Sequence, residues 1–213
     1  LTEQLSLAVP KGKVLGIDAS MGMIETAKGI IKDNIEFQRA DINEIDYKNE
    51  FDIIFSNAAL HWIKDHKRLL ENAYQALKFQ GIILWDFGGA GNCANFIEVT
   101  REKIADVKFA EYFRTFEWPW FMPSKSQYEK LISAIGFSNV TITEVNRDRY
   151  FSSEAEMIRW IDQPCIVPFL KCLPDNIKTI FRDDVIAEMI EKTRQPDGTY
   201  FETFRRLKIY AEK

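Results

Sequence analysis

The segment KVLGIDAS, residues 13–20, is an apolar run that ends on a carboxylate, Asp18. Residues 14–17 have the length and composition of a short strand buried on both faces. An acid at the tip of such a strand points to a doubly wound α/β sheet, where ligands bind beyond the carboxyl ends of the strands. In units of this kind an acid ending the second strand accepts the two hydroxyls of a ribose. It stands about 20 residues after a glycine-rich turn joining the first strand to the first helix. Counting back from Asp18 by that amount runs off the start of the chain, and residues 1–9 already read as a helix, with Leu1, Leu5 and Ala8 at helical spacing before Pro10-Lys11-Gly12. The first strand and its glycine turn are therefore expected to be absent from the sequence. The alternative is that Asp18 merely caps the next helix.

Outward from this segment the chain alternates. Residues 21–31 read as a helix with Ser20 at its N-cap. Residues 35–40 read as a strand that ends at Asp41, and FDIIFS, residues 51–56, as a strand that ends at Asn57. Asp65 can cap a helix that carries Leu69, Leu70, Ala73 and Leu77 on one face, with Gly81 as its C-terminal stop. Residues 82–87 form a fourth apolar run. Strands and helices alternating in this way predict a mostly parallel sheet covered on both faces.

The second half differs. An aromatic loop, FEWPWFMP, precedes a helix over 127–135 closed by Gly136, then a strand, VTITEV, at 140–145. Ser153-Glu-Ala-Glu156 is a capping-box pattern that opens a helix through Trp160. Residues 175–192 read as a longer helix with Ile177, Ile180, Phe181, Ile186, Met189 and Ile190 inward. Pro196-Asp197-Gly198 is a turn, and residues 204–211 alternate as a last, exposed, antiparallel strand. The expected architecture is an α/β, doubly wound, Rossmann-like single domain, mostly parallel, with a last antiparallel strand. Residues 92–126 and 152–196 are expected to form a small helical cap on the substrate side.

Composition excludes several functions. The chain has 213 residues and a net charge of −4, with 46% hydrophobic and 28% charged residues. It carries no basic stripe, which argues against a nucleic-acid partner. No apolar run approaches a membrane span, and the start is not a signal peptide. Cys93, Cys165 and Cys172 lack metal or redox spacing and read as reduced thiols, so a cytoplasmic location is the default expectation. His61 and His66 do not share a helix face, and no metal site is expected. The oligomeric state is left open.

Asp18, Asp41 and Asn57 place polar groups at three successive strand tips, aimed at one crevice. VLGIDASMGMIETAK, FQRADI, FDIIFSNAALHWIKDH and ALKFQGIIL, taken in this order, resemble the successive motifs of the class I S-adenosylmethionine-dependent methyltransferases. With SSEAEMIRWIDQPCIVPFL and DGTYFETFRRLKIYAEK, the chain most resembles the trans-aconitate methyltransferase group. That family normally begins with a strand and a Gly-x-Gly-x-Gly turn, and this chain departs from it there.

The resemblance implies S-adenosylmethionine as cofactor. Asp18 would hold the ribose, with Ser20 beside it, and Ala19 and Met23 near the adenine. Asp41 would accept from the adenine amino group and the Ile42 N–H would donate to the ring. Asn57 and Ala58 would line the methionine part, with His61 and Trp62 as the wall toward the acceptor. The loop GGAGN, residues 88–92, reads as a flexible link toward the substrate side.

The expected substrate is a small molecule, with Trp120, Arg149, Tyr150, Trp160 and Arg206 as further candidates to contact it. Each has a bland alternative as cap core or exposed charge. A carboxylate acceptor is ionised at neutral pH and needs no general base, which suits a chain with two histidines and no nucleophile–base set. The expected reaction is O-methylation of a carboxylate such as that of trans-aconitate or a related acid. The trans-aconitate group is expected to carry Leu-Arg-Pro where this chain has Ile166-Val167-Pro168; if that arginine binds a carboxylate, the acceptor here is less acidic or held by another arginine, and a carboxylate on a carrier-bound acyl chain is a related possibility.

Two rivals stand beside this reading. Tyr74-x-x-x-Lys78 matches a spacing used by nicotinamide-dependent oxidoreductases, although amphipathic packing also explains it. A truncated, non-catalytic methyltransferase-like module is the other, whose empty strand slot would favour aggregation or dimer pairing.

Overall fold

The structure, a computed structural model, describes residues 1–30 and 32–213. In chain order the elements are α1 (Thr2–Ala8), β1 (Val14–Asp18), α2 (Met21–Ala27), β2 (Ile35–Arg39), β3 (Phe51–Asn57), α3 (His66–Ala76), β4 (Leu77–Gly88) and α4 (Ala94–Ala105). They continue with α5 (Lys125–Ser133), β5 (Ser138–Asn146), β6 (Arg149–Phe151), α6 (Glu154–Trp160), α7 (Val167–Leu170), α8 (Asp175–Thr193), β7 (Tyr200–Glu202) and β8 (Arg205–Glu212). The alternation of strands and helices gives the expected α/β class. No helix of the described residues is long and apolar enough to cross a membrane.

Local chemistry sets most boundaries. The Ser20 hydroxyl accepts from the Met23 amide to start α2, and Asp65 accepts from Arg68 at 2.9 Å to start α3. Ser124 and Gln127 close a full capping box on α5, which ends near Gly136 at φ +109°. The helix expected over 21–31 stops at Ala27, and Ile31 lies outside the described residues. Gly81 is not a helix stop. Strand β4 follows α3 directly at Leu77, and an added Cβ at Gly81 would sit 2.9 Å from the Lys78 carbonyl and 3.1 Å from that of Phe51. The box at Ser153 is offset: its hydroxyl caps Glu156, but the Glu156 carboxylate accepts from Ser152 and Arg149 instead. In α1 the buried residue is Ser6, its hydroxyl satisfied by the Glu3 carbonyl at 2.8 Å, while Leu1 and Ala8 are exposed and Leu5 is half-buried.

The strands form a four-stranded sheet of order β3-β4-β8-β5 and a separate parallel pair, β1-β2. β3, β4 and β5 run one way and β8 alone runs back between β4 and β5. The last strand is therefore interior rather than exposed: Leu207, Ile209 and Ala211 are each 2% exposed or less. Among the described residues β1 pairs only with β2, and β3 only with β4, so each keeps one unpaired edge. β6 and β7 form a small antiparallel pair of their own.

Two cores hold the molecule. One lies on a single face of the four-stranded sheet, where Ile83, Trp85, Phe87, Leu207 and Ile209 meet Leu69, Leu70 and Ala73 of α3 and Tyr128 and Ile132 of α5. Each such fully buried large side chain contributes about 1.5–3 kcal/mol. The other face is not covered as expected: Ile53 and Phe55 of β3, which project from it, are 51% and 39% exposed. The second core is aromatic. It joins residues of the 92–126 segment (Phe96, Phe109, Phe113, Trp120) to Met157, Phe169, Phe181 and Met189 of the 152–196 segment. Ile180 of α8 faces solvent at 49% exposure, contrary to expectation, since the buried stripe of that helix runs through Phe181, Val185 and Met189.

Candidate active site

The strand tips carry the candidate residues in two groups. At the ends of β1 and β2, the Asp18 carboxylate accepts from the Ser20 amide at 2.8 Å, the Ala40 amide donates to the Asp18 carbonyl, and Arg39 Nε donates to the Ala19 carbonyl at 3.2 Å. Asp41 accepts from the Asn43 amide at 2.9 Å and borders a cavity of about 380 Å³ with Gln38, Ala40 and Tyr47. In both acids one carboxylate oxygen makes that local turn, and among the described residues the other has no hydrogen-bond partner. The Ile42 carbonyl is tied to α3 by Asn72 at 2.9 Å, which fixes this loop. Met23 projects into solvent at 58% exposure.

The second group gathers at the ends of β3 and β4. Ala58, at φ +59°, turns the chain and donates its amide to the Asp86 carbonyl at 2.7 Å. Arg206 of β8 donates from Nε to Asp86 Oδ1 at 2.6 Å, and from Nη2 to the Asp86 carbonyl at 2.9 Å and to Asn57 Oδ1 at 3.2 Å. His61 follows on a short 3₁₀ turn over Leu60–Trp62. Burial, then the charges of Arg206 and His66, lower its pKa to about 4, so the ring is neutral at physiological pH. Its Nδ1 is buried without a partner among the described residues. The rings of His61, Trp62 and Trp120 follow one another at 5.7 and 5.5 Å, and Trp118 continues the series at 5.6 Å.

His66 braces this wall from behind. Its Nε2 meets the Leu60 carbonyl at 2.9 Å and its Nδ1 the Tyr128 hydroxyl at 3.2 Å. The loop at 88–92 is a pinned turn, not a flexible link. Gly89 donates to the Arg205 carbonyl, Ala90 to that of Pro123, and Asn92 is buried. An added Cβ at Gly89 would lie 2.9 Å from Leu207 Cγ.

Three substrate candidates stand apart. Arg149 and Tyr150 are on β6, in the small sheet. Arg149 is held by Glu156 at 2.9 Å and lies over the Phe151 ring. Tyr150 is 61% exposed against Phe201. Trp160 packs within the aromatic core between Phe96, Phe151 and Phe204. Val167, in the arginine's expected place, is 39% exposed at the start of α7. The oxidoreductase-like spacing is occupied by packing: Tyr74 meets Phe137 edge-on at 5.1 Å and Lys78 pairs with Asp52 at 2.9 Å.

Sequence reasoning missed Asp86. The signal was present, because IILWDF ends an apolar run on an acid just as VLGID does.

The strand order and the reversed strand β8 are the fold of the S-adenosylmethionine-dependent methyltransferases. A structure of loganic acid methyltransferase with SAH superposes at a TM-score of 0.72 with 12% identity, over 94% of this chain and 74% of that one. Residues 1–112 match the family described as "Methyltransferase domain", and the chain belongs to that family. It is 27% identical to an uncharacterized methyltransferase of Schizosaccharomyces pombe, over 94% of this chain and 78% of that protein. It is 26% identical to the trans-aconitate 2-methyltransferase of Deinococcus radiodurans, over 81% of this chain and 67% of that protein.

Proposed function

We propose that this S-adenosylmethionine-dependent methyltransferase esterifies a carboxylate on a small organic acid. The observation that carries the reading is the setting of Arg206. Asp86 and Asn57 fix its Nε and Nη2, its Nη1 has no partner among the described residues, and it borders a cavity of about 310 Å³ at the strand tips with Gly89, Ala90, Glu144, Asn146 and Arg205. A guanidinium held in this way can offer its remaining N–H groups to an acceptor carboxylate. The trans-aconitate 2-methyltransferases among the relatives support an acid as acceptor.

The cofactor supplies a methyl already activated on a sulfonium. What the chain adds is alignment and exclusion of water. The free oxygens of Asp18 and Asp41 suit ribose hydroxyls and an adenine amino group, with Ala19, Ser20, Met23 and Ile42 around them, and Asn57 and Ala58 toward the methionine part. His61, Trp62 and Trp120 wall off the acceptor. The acceptor oxygen is anionic, so no proton has to be removed, and a neutral His61 adds no charge beside it. Because Asp86 already offsets the Arg206 charge, the site favours a monocarboxylate over a polyanion, which agrees with Val167 in place of an arginine.

Calorimetric titration of S-adenosylhomocysteine into the chain, with NAD as control, tests the cofactor. Binding of S-adenosylhomocysteine alone supports the reading, and binding of NAD alone overturns it. Methyl transfer from labelled cofactor to a panel of mono-, di- and tricarboxylic acids tests the acceptor. Base-labile label on none of them overturns the carboxylate assignment.

A further inference from the structure

The wall of His61, Trp62 and Trp120 is built from two segments remote in sequence, the 3₁₀ turn Leu60–Trp62 and the aromatic loop ahead of α5. One buried side chain touches both. His66, the first residue of α3, is 2% exposed. Its Nε2 lies 2.9 Å from the Leu60 carbonyl, and because a carbonyl only accepts, that nitrogen carries the proton. Burial lowers the pKa of the ring to about 4, so it is neutral at physiological pH, and Nδ1 accepts from the Tyr128 hydroxyl at 3.2 Å. The Leu60 carbonyl also accepts from the Ile63 amide at 2.9 Å, so both of its lone pairs are engaged. On the loop side the Phe121 ring lies 4.7 Å from the His66 ring, and the Phe121 amide donates to the His61 carbonyl at 2.8 Å. Phe87 of β4 at 5.2 Å and Tyr128 of α5 at 5.5 Å also flank the imidazole.

We propose that His66 is a positioning residue for acceptor recognition: by binding the Leu60 carbonyl and packing on the Phe121 ring, it sets where His61 and Trp62 stand against Trp120. The role rests on the assignment of that wall to the acceptor, made above. Packing alone does not call for a histidine here. A phenylalanine would fill the space among Phe87, Phe121 and Tyr128 without burying two polar nitrogens. What the imidazole adds is a directed donor to one carbonyl, with the Tyr128 hydroxyl fixing the tautomer that supplies it. Without that donor the turn is left with its own backbone bonds and the Phe121 amide, and Trp62, 40% exposed, loses its register against Trp120. The cofactor side is separate. The Asp18 and Asp41 carboxylates bond within their own turns, to the Ser20 and Asn43 amides, and share no partner with His66.

Three variants of the full chain separate the bond from the packing. H66F keeps the ring and loses the donor. H66Q places an amide nitrogen at the reach of the imidazole Nε2, and H66N stops short at the reach of Nδ1. Methyl transfer from labelled cofactor is followed for whichever acid of the mono-, di- and tricarboxylic panel the parent labels fastest, and S-adenosylhomocysteine is titrated into each variant. H66F and H66N are expected to raise the KM for that acid about 10- to 100-fold, with the Kd for S-adenosylhomocysteine within about twofold of the parent. H66Q should stay within about threefold of the parent in both. Y128F, which removes only the hydroxyl that orients the ring, serves if a His66 variant does not fold; it should raise the same KM about threefold. Hydrogen exchange gives a readout that needs no acceptor: the Ile63 and Phe121 amides should exchange faster in H66F and H66N than in the parent or H66Q. An unchanged acceptor KM in H66F or in Y128F overturns the proposal. So does H66Q no better than H66N, or a loss of S-adenosylhomocysteine affinity that matches the loss for the acid. If the parent labels no acid, the acceptor reading fails by itself, and unchanged exchange at Ile63 and Phe121 in H66F then overturns the positioning as well.

Discussion

Arg206 and Asp86 meet at 2.6 Å across the antiparallel β4–β8 pair, and the same guanidinium reaches Asn57 at the tip of β3. One side chain thus ties the ends of β3 and β4 to the start of β8. The partners are only 14% and 19% exposed, so solvent screens the pair weakly.

Removing one partner should therefore cost more than a surface ion pair does. D86A is expected to lower stability by about 2–3 kcal/mol, because it strands a largely buried guanidinium. The double variant D86A/R206M should recover part of that loss. Urea unfolding of the two single variants and the double variant checks this; single variants within the error of the parent would reduce the pair to a contact without energetic weight.

Asp18 has a turn-making oxygen and a free one. D18N keeps an oxygen for the Ser20 amide and loses the charge, whereas D18A loses both. Affinity for S-adenosylhomocysteine should fall about 10- to 100-fold in D18N, from loss of charge-assisted bonds to the ribose. Only D18A should also reduce helicity or melting temperature. Unchanged affinity in D18N would confine Asp18 to a capping role.

Two buried histidines set a pH window. Burial lowers His61 and His66 to about 4, and backbone bonds to Leu60 and Ile63 oppose the shift only in part at His66. The unfolded chain takes up these protons near pH 6.5, before the folded one does, so their contribution is full above 6.5 and is lost as pH falls toward 4. The ceiling is about 3 kcal/mol for each histidine. Glu202, raised by burial, acts in the opposite sense as it protonates. Urea unfolding at pH 7.5, 6 and 5 should show falling stability, and H61Q should flatten the slope. Constant stability over that range refutes the assignment.

Glu202 is a cap supplied from a distant element. It is fully buried on β7, and its carboxylate accepts from the amides of Asn95 and Phe96 in the first turn of α4 at 3.1 and 2.9 Å. E202A should cost about 2–4 kcal/mol by leaving those donors buried without a partner, and E202Q distinctly less. Hydrogen exchange should accelerate first at residues 94–97. If E202A is no worse than a surface substitution, the helix start is hydrated and the cap is incidental.

Much of the fold was legible because it rests on local rules. Ser20, Asp65 and Ser124 start helices by accepting from their own third amide, and Gly136 marks a stop. VLGID, FDIIFS and IILWDF read as strands because their apolar runs fit no other element of that length. Where reading failed, a distant partner had overridden the local signal. Gly81 looked like a helix stop but admits the close passage of the Phe51 carbonyl. The last strand looked exposed because its alternation resembles an edge, yet β5 closes over it.

The sequence by itself determined the class of sheet, the direction of its strands and the polar residues at the strand tips, since these follow from periodicity, capping and the chain direction of each βα unit. Only the tertiary structure decided which of those tips share a guanidinium and that Glu202 of β7 caps α4. These are contacts between elements remote in sequence. They depend on how side chains pack across strands and cores, and no spacing along the chain encodes that.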